Sequence, residues 1–310
     1  MKNPSLFLWH ILAILTVSVW GASFVSTKIL LNAGFLPTHI YLLRFLFVYL
    51  ILLLLSHDKF FADSWKHEGM LACCGLTAGS IYFIAENTAL EYSLVSNVSL
   101  IVCANPLLTM IVAGALFPGE RLNRRQIAGS VITLCGMALV VLNGKFILKL
   151  SPVGDILAFA AALAWTVYSL IVRPLSGCYS SLFISRKIFF YGTLTSLPVL
   201  ALVGLDVPWA AFKNGQVVAH FLFLGVVASL FGYVVWNRAL RVIGTVLASN
   251  YIYAIPLVSM ILSVLFLSER ITVFACIGAG LILFGMILAE WQDHRKKKTE
   301  HRRTTSLGLG

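Results

Sequence analysis

The tetrapeptide Asn87-Thr-Ala-Leu90 has a counterpart 150 residues later in Asn237-Arg-Ala-Leu240, identical at three of the four positions. Other pairs match at the same offset: Ser99 with Ser249, Pro106 with Pro256 and Met110 with Met260. After one deleted residue, the match continues at an offset of 149, pairing Glu120-Arg121 with Glu269-Arg270 and Gly136-Met137 with Gly285-Met286. A weaker match, at an offset of 145, pairs Trp20 with Trp165. The chain therefore holds one unit of about 150 residues twice, which is typical of repeat-built membrane transporters.

The composition identifies the surroundings of this unit. Hydrophobic residues make up 59% of the chain and charged residues only 11%, whereas a soluble domain carries roughly 25% charged residues. Apolar runs of about 17–25 residues are long enough to cross a bilayer as helices. The sequence predicts an all-α polytopic membrane protein with ten transmembrane helices, at about 8–29, 38–55, 69–90, 95–116, 126–143, 154–174, 187–205, 217–238, 245–267 and 273–291.

The charges predict the orientation. The formal net charge is +11, and six of the 23 basic residues lie in the tail 292–310. Because basic residues collect on the cytoplasmic side, both termini are predicted to be cytoplasmic. The expected location is the inner membrane. With that assignment eleven other basic residues fall inside and five outside. The basic tail fits a role in topology or contact with anionic lipid, and nucleic acid is not expected as a partner.

Five spans per copy is an odd number, so the second copy must enter the membrane in the opposite orientation. We therefore predict a first repeat at 1–148, an inverted second repeat at 149–291 and a basic cytoplasmic tail at 292–310. The charges agree, since the basic loop at 120–125 corresponds to the arginine-poor segment 269–272. Inverted repeats allow two related conformations around a shared cavity.

The third span contains the most informative polar residue. Gly75, Gly79, Tyr82 and Glu86 follow the spacing of one helix face. Glu86 is the only acidic residue predicted well inside a span, and its burial suggests substrate binding, proton coupling or a structural carboxylate near the outer mouth. Arg44, in the second span, is predicted to bind a carboxylate, pair with Glu86 or extend to the interface.

Further cavity candidates are aromatic or amide side chains of the central spans. They are Trp20, Trp165, Tyr168, Tyr233, Trp236, Tyr253, Asn87 and Asn237, although the two amides are also suited to an interhelical hydrogen bond. Pro106 and Pro256 are predicted to kink their helices. Gly129, Gly136, Gly278 and Gly285 predict that spans five and ten pack together, or against another copy in a homodimer.

No feature indicates enzymatic chemistry. The six cysteines and seven histidines lack metal-ligand spacing. No phosphate-binding glycine loop and no serine-nucleophile motif occurs. We therefore expect no metal, no cofactor and no catalytic residue.

The repeated motifs resemble the EamA module of the drug/metabolite transporter superfamily. The similarity rests on Ala89-Leu-Glu-Tyr-Ser93, Phe117-Pro-Gly-Glu-Arg121, Trp236-Asn-Arg-Ala-Leu240 and Leu267-Ser-Glu-Arg270. It implies ten helices around a central cavity and a secondary transporter of small metabolites, such as amino acids or related compounds, with export as the expected direction. The alternatives are a non-transporting membrane sensor or structural protein and, less favoured, a membrane-embedded transferase.

Overall fold

The structure, a computed structural model, describes residues 4–57, 59–93, 95–116, 124–142, 151–204, 206–255, 257–258 and 272–290. Pro256, the pairs Glu120-Arg121 and Glu269-Arg270, and the tail 292–310 lie outside these residues. All regular secondary structure in the described part of the chain is helical.

The first half of the chain forms helices whose starts follow from local sequence. Pro37 begins the second helix, where its missing N–H is not needed. Ser64 caps the third by accepting a hydrogen bond from the His67 backbone N–H at 3.2 Å. The described elements are α1 (Pro4–Asn32), α2 (Pro37–Leu55), α3 (Trp65–Gly75), a π-helical segment (Leu76–Ile81), α4 (Tyr82–Tyr92), α5 (Val95–Val102), α6 (Asn105–Leu116) and α7 (Arg124–Leu142).

The described part of the second half contains helices in a similar order, with two additional 3₁₀ turns. Ser180 caps one long helix by accepting from the Phe183 N–H at 3.2 Å, and Gly204, with φ of 86°, ends it in a backbone conformation that favours glycine. The described elements are α8 (Pro152–Cys178), α9 (Ser181–Val203), a 3₁₀ turn (Trp209–Lys213), α10 (Gly215–Leu222), a π-helical segment (Phe223–Phe231), α11 (Gly232–Ile243), α12 (Thr245–Asn250), a 3₁₀ turn (Tyr251–Ala254) and α13 (Val273–Glu290).

Six described helical runs are long and apolar enough to cross a membrane. They are Leu6–Asn32, Pro37–Leu55, Trp65–Tyr92, Pro152–Cys178, Ser181–Val203 and Gly215–Ile243. Asn105–Leu116 and Cys276–Gly285 are shorter apolar helices. This agrees with the predicted all-α membrane architecture.

A π-helical segment interrupts the predicted third span, and another interrupts the eighth. The first ends at Ile81 and the second at Phe231, a separation of 150 residues that equals the sequence offset. Each π turn adds a residue and so rotates the following helix by about 100° relative to an uninterrupted α-helix. The duplication thus extends to a local irregularity of the backbone.

The π-helical segment divides the predicted stripe of the third span. Gly75 and Gly79 lie against Gly192 of α9, whereas Tyr82 and Glu86 line a cavity. A Cβ atom added to Gly75 would lie 2.8 Å from the Gly192 backbone nitrogen. The expectation of one shared face is corrected here, because it assumed a continuous α-helix. The close contact also joins the two halves of the chain.

A buried ion pair strengthens this contact between α3 and α9. Glu68 is 7% exposed and accepts hydrogen bonds from the Lys187 ammonium and the Tyr191 hydroxyl. Its second carboxylate oxygen accepts from the Ala62 backbone N–H at 2.6 Å. Glu68 is therefore a buried carboxylate that lies one residue before the predicted third span at 69–90.

The link between α2 and α3 is held on α9 at further points. Arg186 donates to the backbone carbonyls of Ser56 and Lys59. The Lys59 ammonium donates to Asp63, and this hydrogen bond lowers the pKa of the Asp63 carboxyl below its ordinary value. Asp63 is therefore ionised at neutral pH and forms an ion pair with Lys59 within this link.

Glycines bring α7 and α13 into backbone contact. A Cβ atom on Gly136 would lie 2.7 Å from the Gly278 carbonyl oxygen, and one on Gly285 would lie 2.5 Å from that of Gly129. The prediction that spans five and ten pack together is confirmed. These glycines are buried within one chain, so their contact does not require a second copy.

This contact predicts that Gly136→Ala lowers the free energy of unfolding by about 1–3 kcal/mol, because the new methyl group would force the two backbones apart. Denaturant unfolding in detergent micelles measures the change. Gly280→Ala is the matched control, since a Cβ atom there meets nothing within 4 Å among the described residues. The control should leave stability unchanged or raise it by up to about 1 kcal/mol. Equal losses in both variants would contradict the proposed contact.

Candidate functional site

A cavity of about 40 Å³ lies between helices of the two halves. The first half supplies wall residues from α1, α2, α4 and the α5–α6 region. The second half supplies them from α8, α11 and residues 252–255. The lining residues are Trp20, Ser23, Phe24, Arg44, Tyr82, Phe83, Glu86, Val102, Asn105, Trp165, Tyr233, Ile252 and Ile255.

Six of the eleven predicted cavity residues lie on this wall: Trp20, Arg44, Tyr82, Glu86, Trp165 and Tyr233. The structure therefore brings together both charged residues predicted within spans and four of the predicted aromatics. The other five are buried in the protein without lining this cavity: Asn87, Tyr168, Trp236, Asn237 and Tyr253.

Arg44 is enclosed by protein, with 4% of its surface exposed. Its Nε donates to the Ser229 hydroxyl, which belongs to the π-helical segment of the second half. The centre of the guanidinium lies 4.5 Å from the centroid of the Phe83 ring, a favourable cation–π geometry. Of the alternatives for Arg44, extension to the membrane interface does not fit this burial.

Glu86 lies on the same wall and is 7% exposed. Its Oε1 accepts a hydrogen bond from the Tyr82 hydroxyl at 3.2 Å, one helical turn earlier. Arg44 and Glu86, both among the described residues, form no ion pair with each other. The cavity thus carries an acidic and a basic side chain that are not in direct contact with each other.

Aromatic rings form the boundary between the halves at the cavity. The Trp20 ring lies 5.2 Å from that of Trp165 and 4.9 Å from that of Trp236, measured between centroids. Trp165 also lies 5.8 Å from Tyr233. The Trp20–Trp165 contact joins the two residues matched at the offset of 145, so the repeat partners meet.

Tyr168 and Asn237 lie behind this wall in a hydrogen-bonded chain. The Tyr168 hydroxyl donates to Asn237 Oδ1 at 2.5 Å, and Asn237 Nδ2 donates to the Ser185 hydroxyl at 3.0 Å. Asn87, the repeat partner of Asn237, donates to the Pro37 carbonyl at 3.3 Å. For both amides the structure favours the interhelical hydrogen bond over the cavity role.

Pro106 lies next to a break in the predicted fourth span. The chain leaves the helix after Val102 and resumes it at Asn105, with a turn at residues 103–104. Proline has no N–H to donate to the carbonyl of Val102, which explains the interruption. The break places Val102 and Asn105 on the cavity wall.

Sequence reasoning missed seven wall residues: Ser23, Phe24, Phe83, Val102, Asn105, Ile252 and Ile255. Asn105 had a usable signal, because it is an amide within an apolar span. Its Nδ2 donates to the Ala162 carbonyl and to the Thr166 hydroxyl, both at 3.0 Å. The apolar members carry no comparable signal, since any span is rich in such residues.

Two segments of the chain, residues 7–142 and 152–291, each match the EamA-like transporter family. The boundary between the two matched segments falls close to the predicted end of the first repeat. A solved crystal structure that is 20% identical superimposes with a TM-score of 0.73, covering 95% of this chain and 99% of the other. This likeness shows a shared fold.

Several curated relatives have informative names. An uncharacterized transporter of Archaeoglobus fulgidus is 27% identical over 293 residues, covering 92% of this chain and 98% of the relative. A probable amino-acid metabolite efflux pump of Escherichia coli (strain K12) is 26% identical over 295 residues, covering 90% and 93%. A probable terminal-alkyne amino-acid exporter of Streptantibioticus cattleyicolor is 27% identical over 219 residues, covering 71% and 72%.

The assignment of Tyr168 to the framework predicts a loss of stability on removal of its hydroxyl. Tyr168→Phe leaves the buried Asn237 oxygen without its donor, which lowers the free energy of unfolding by about 1–3 kcal/mol. Denaturant unfolding in micelles measures the loss. Tyr92→Phe, at a residue that is 61% exposed, is the control and should change stability little. Unchanged stability in both variants would remove Tyr168 from the framework.

Proposed function

Since the family model covers both of its halves, the chain belongs to the EamA-like transporter family, and we propose that it exports small metabolites, amino acids or related compounds, as a secondary transporter. Family and relatives make it a multi-pass membrane transporter rather than an enzyme. The observation that carries the proposal is the cavity between the halves, which holds Arg44 and Glu86 among aromatic rings. A small-molecule transporter requires such a polar site within the membrane.

The proposed architecture has ten membrane-spanning helices in two repeats of opposite orientation. The odd number of spans per repeat and the exchange of basic residues between equivalent loops support inversion. The recurrence of a π-helical segment at equivalent positions supports the duplication. We place both termini on the cytoplasmic side of the inner membrane.

Alternating access is the mechanism that best fits the cavity. Its volume of about 40 Å³ is far below the roughly 300–1,000 Å³ of a typical ligand site. An amino acid therefore enters only if helices move apart. Because the wall combines Trp20, Arg44 and Glu86 of the first half with Trp165 and Tyr233 of the second, relative movement would open the site toward one face at a time.

The proposed direction and substrates rest on relatives named as an amino-acid exporter and as an amino-acid metabolite efflux pump. The cavity is compatible with such substrates, since it offers both signs of charge and aromatic surface. Arg44 and Glu86 are the proposed contacts for charged groups. Trp20, Tyr82, Trp165 and Tyr233 are the proposed contacts for the remainder of the substrate.

Transport is tested with the full chain in proteoliposomes preloaded with a mixture of amino acids and related metabolites. We expect a subset of them to leave the vesicles chemically unchanged, as measured by mass spectrometry against protein-free vesicles. Val102→Phe, which fills the cavity, should reduce this flux by about tenfold or more. Val167→Phe, at a 41% exposed valine of α8, should not. Absence of flux for every solute would favour the non-transporting sensor or structural protein.

Inversion is tested at two equivalent exposed positions, Lys66 and Gln216, which are 150 residues apart. In a chain whose native cysteines are replaced, Lys66→Cys should be protected from a membrane-impermeant maleimide in intact cells. Gln216→Cys should react, because it precedes the eighth span on the opposite side. Labelling of both positions, or of neither, would contradict the inverted repeat.

A further inference from the structure

Three groups on the cavity wall have a hydrogen-bond donor or a carboxylate oxygen that no described residue uses. Arg44 donates through Nε alone, so its two terminal nitrogens make no hydrogen bond to any described residue. Glu86 accepts through Oε1 alone within the same part of the chain. The buried indole N–H of Trp165 likewise has no acceptor among the described residues. The wall therefore offers one cation, one anion and one neutral donor.

The other polar groups on the wall are used to hold the framework. The Trp20 indole N–H donates to the Ala228 carbonyl at 3.0 Å, and the Tyr233 hydroxyl donates to the Ala78 carbonyl at 2.6 Å. The Ser23 hydroxyl donates to the Trp20 carbonyl at 2.8 Å. Asn105 donates to α8 and accepts from the Thr109 hydroxyl at 3.3 Å. Among the described wall residues, the donors left to a ligand are thus the terminal nitrogens of Arg44 and the Trp165 N–H, and the only carboxylate is that of Glu86.

The remaining wall is apolar and comes from both halves: Phe24, Phe83, Val102, Ile252 and Ile255. No further charged side chain lines this cavity within the described residues. A ligand with a third charge would therefore bury that charge unpaired, which costs several kcal/mol. An apolar substituent of the ligand would contact the apolar part of the wall.

From this pattern we infer that the cavity binds a zwitterion with an apolar side chain, an α-amino acid whose carboxylate contacts Arg44 and whose ammonium group contacts Glu86. The inference rests on the proposed function and assigns the chemistry by which that site recognises its substrate. The guanidinium presents its free terminal nitrogens to the carboxylate, a geometry that favours two parallel hydrogen bonds. The Trp165 N–H supplies a further donor.

Charge balance distinguishes a zwitterion from singly charged ligands. An amine would pair with Glu86 and leave Arg44 without an anion, and a carboxylic acid would do the reverse. Either ligand buries a net charge in the site, whereas a zwitterion pairs each group and adds no net charge. This arrangement explains why the two residues lie on one wall without forming an ion pair.

The test measures equilibrium binding to the purified full chain in lipid nanodiscs by calorimetry. The probes are L-phenylalanine, L-leucine and L-methionine, followed by 2-phenylethylamine, which lacks the carboxylate, and 3-phenylpropanoate, which lacks the amine. At least one amino acid should bind, and both singly charged analogues should bind about tenfold or more weakly than L-phenylalanine. Failure of all three amino acids to bind at millimolar concentration would overturn the inference, as would equal binding of either analogue.

Two variants, each replacing one charged side chain by a neutral amide, test which end of the ligand contacts which residue. Glu86→Gln should weaken the binding of L-phenylalanine by about tenfold or more. In this variant 3-phenylpropanoate should bind more tightly than 2-phenylethylamine. Arg44→Gln should show the opposite preference, for 2-phenylethylamine. Glu68→Gln is the matched control, because it also neutralises a buried carboxylate but lies outside the cavity wall. It should retain the wild-type order of affinities. A merely structural role for Arg44 and Glu86 would weaken all ligands alike, and that result would refute the assignment.

Failure of this inference is distinguishable from failure of the proposed function. Flux of other metabolites without amino-acid binding would support the proposed transport function and refute the zwitterion site. Selective amino-acid binding without flux of any solute would support the zwitterion site and refute the proposed transport function.

Discussion

The burial of Arg44 and Glu86 is the constraint around which the cavity is arranged. A charged side chain at the centre of a membrane costs roughly 2.5–3.5 kcal/mol on insertion scales. Contacts with Ser229 and the Phe83 ring offset part of the cost of burying Arg44. The hydrogen bond from Tyr82 does the same for Glu86. Because Ser229 belongs to the second half and Arg44 to the first, satisfying the cation also connects the repeats. The attraction between the two side chains across the cavity offsets only a part of the remaining cost.

The contacts between helices differ in kind, and this difference limits how the protein can move. At α3–α9 and α7–α13, glycines bring backbone against backbone, so a shift of the helices directly produces steric overlap. At the cavity the halves meet instead through the side chains of Trp20, Trp165 and Tyr233, so a shift there requires new χ angles and new partners for the hydrogen bonds of Trp20 and Tyr233 rather than overlap of backbones. We therefore place the movement of the proposed cycle at the aromatic boundary. The glycine contacts join elements of both repeats, so the moving bodies are not simply the two halves.

The sequence predicted the helical membrane architecture, the α7–α13 contact and six cavity residues, because each depends on composition or on spacing within a regular helix. It could not predict that Tyr168 and Asn237 bond to each other behind the wall. It also could not locate the π-helical segments, whose extra residue changes which side chains share a face. Phe83 and Val102 reached the wall through such interruptions, at a π turn and at the break before Pro106.

The two buried carboxylates separate a structural role from a functional one. Glu68 accepts from an ammonium, a hydroxyl and a backbone N–H, so both of its oxygens are satisfied within the protein. Glu86 accepts one hydrogen bond from a described residue, on a cavity wall that also carries an unpaired guanidinium. If Arg44 and Glu86 served stability alone, direct pairing would lower the cost of burying them, as it does for Glu68 and Lys187. Their separation leaves part of that cost to be met by a ligand, and a bound zwitterion meets it on both sides at once.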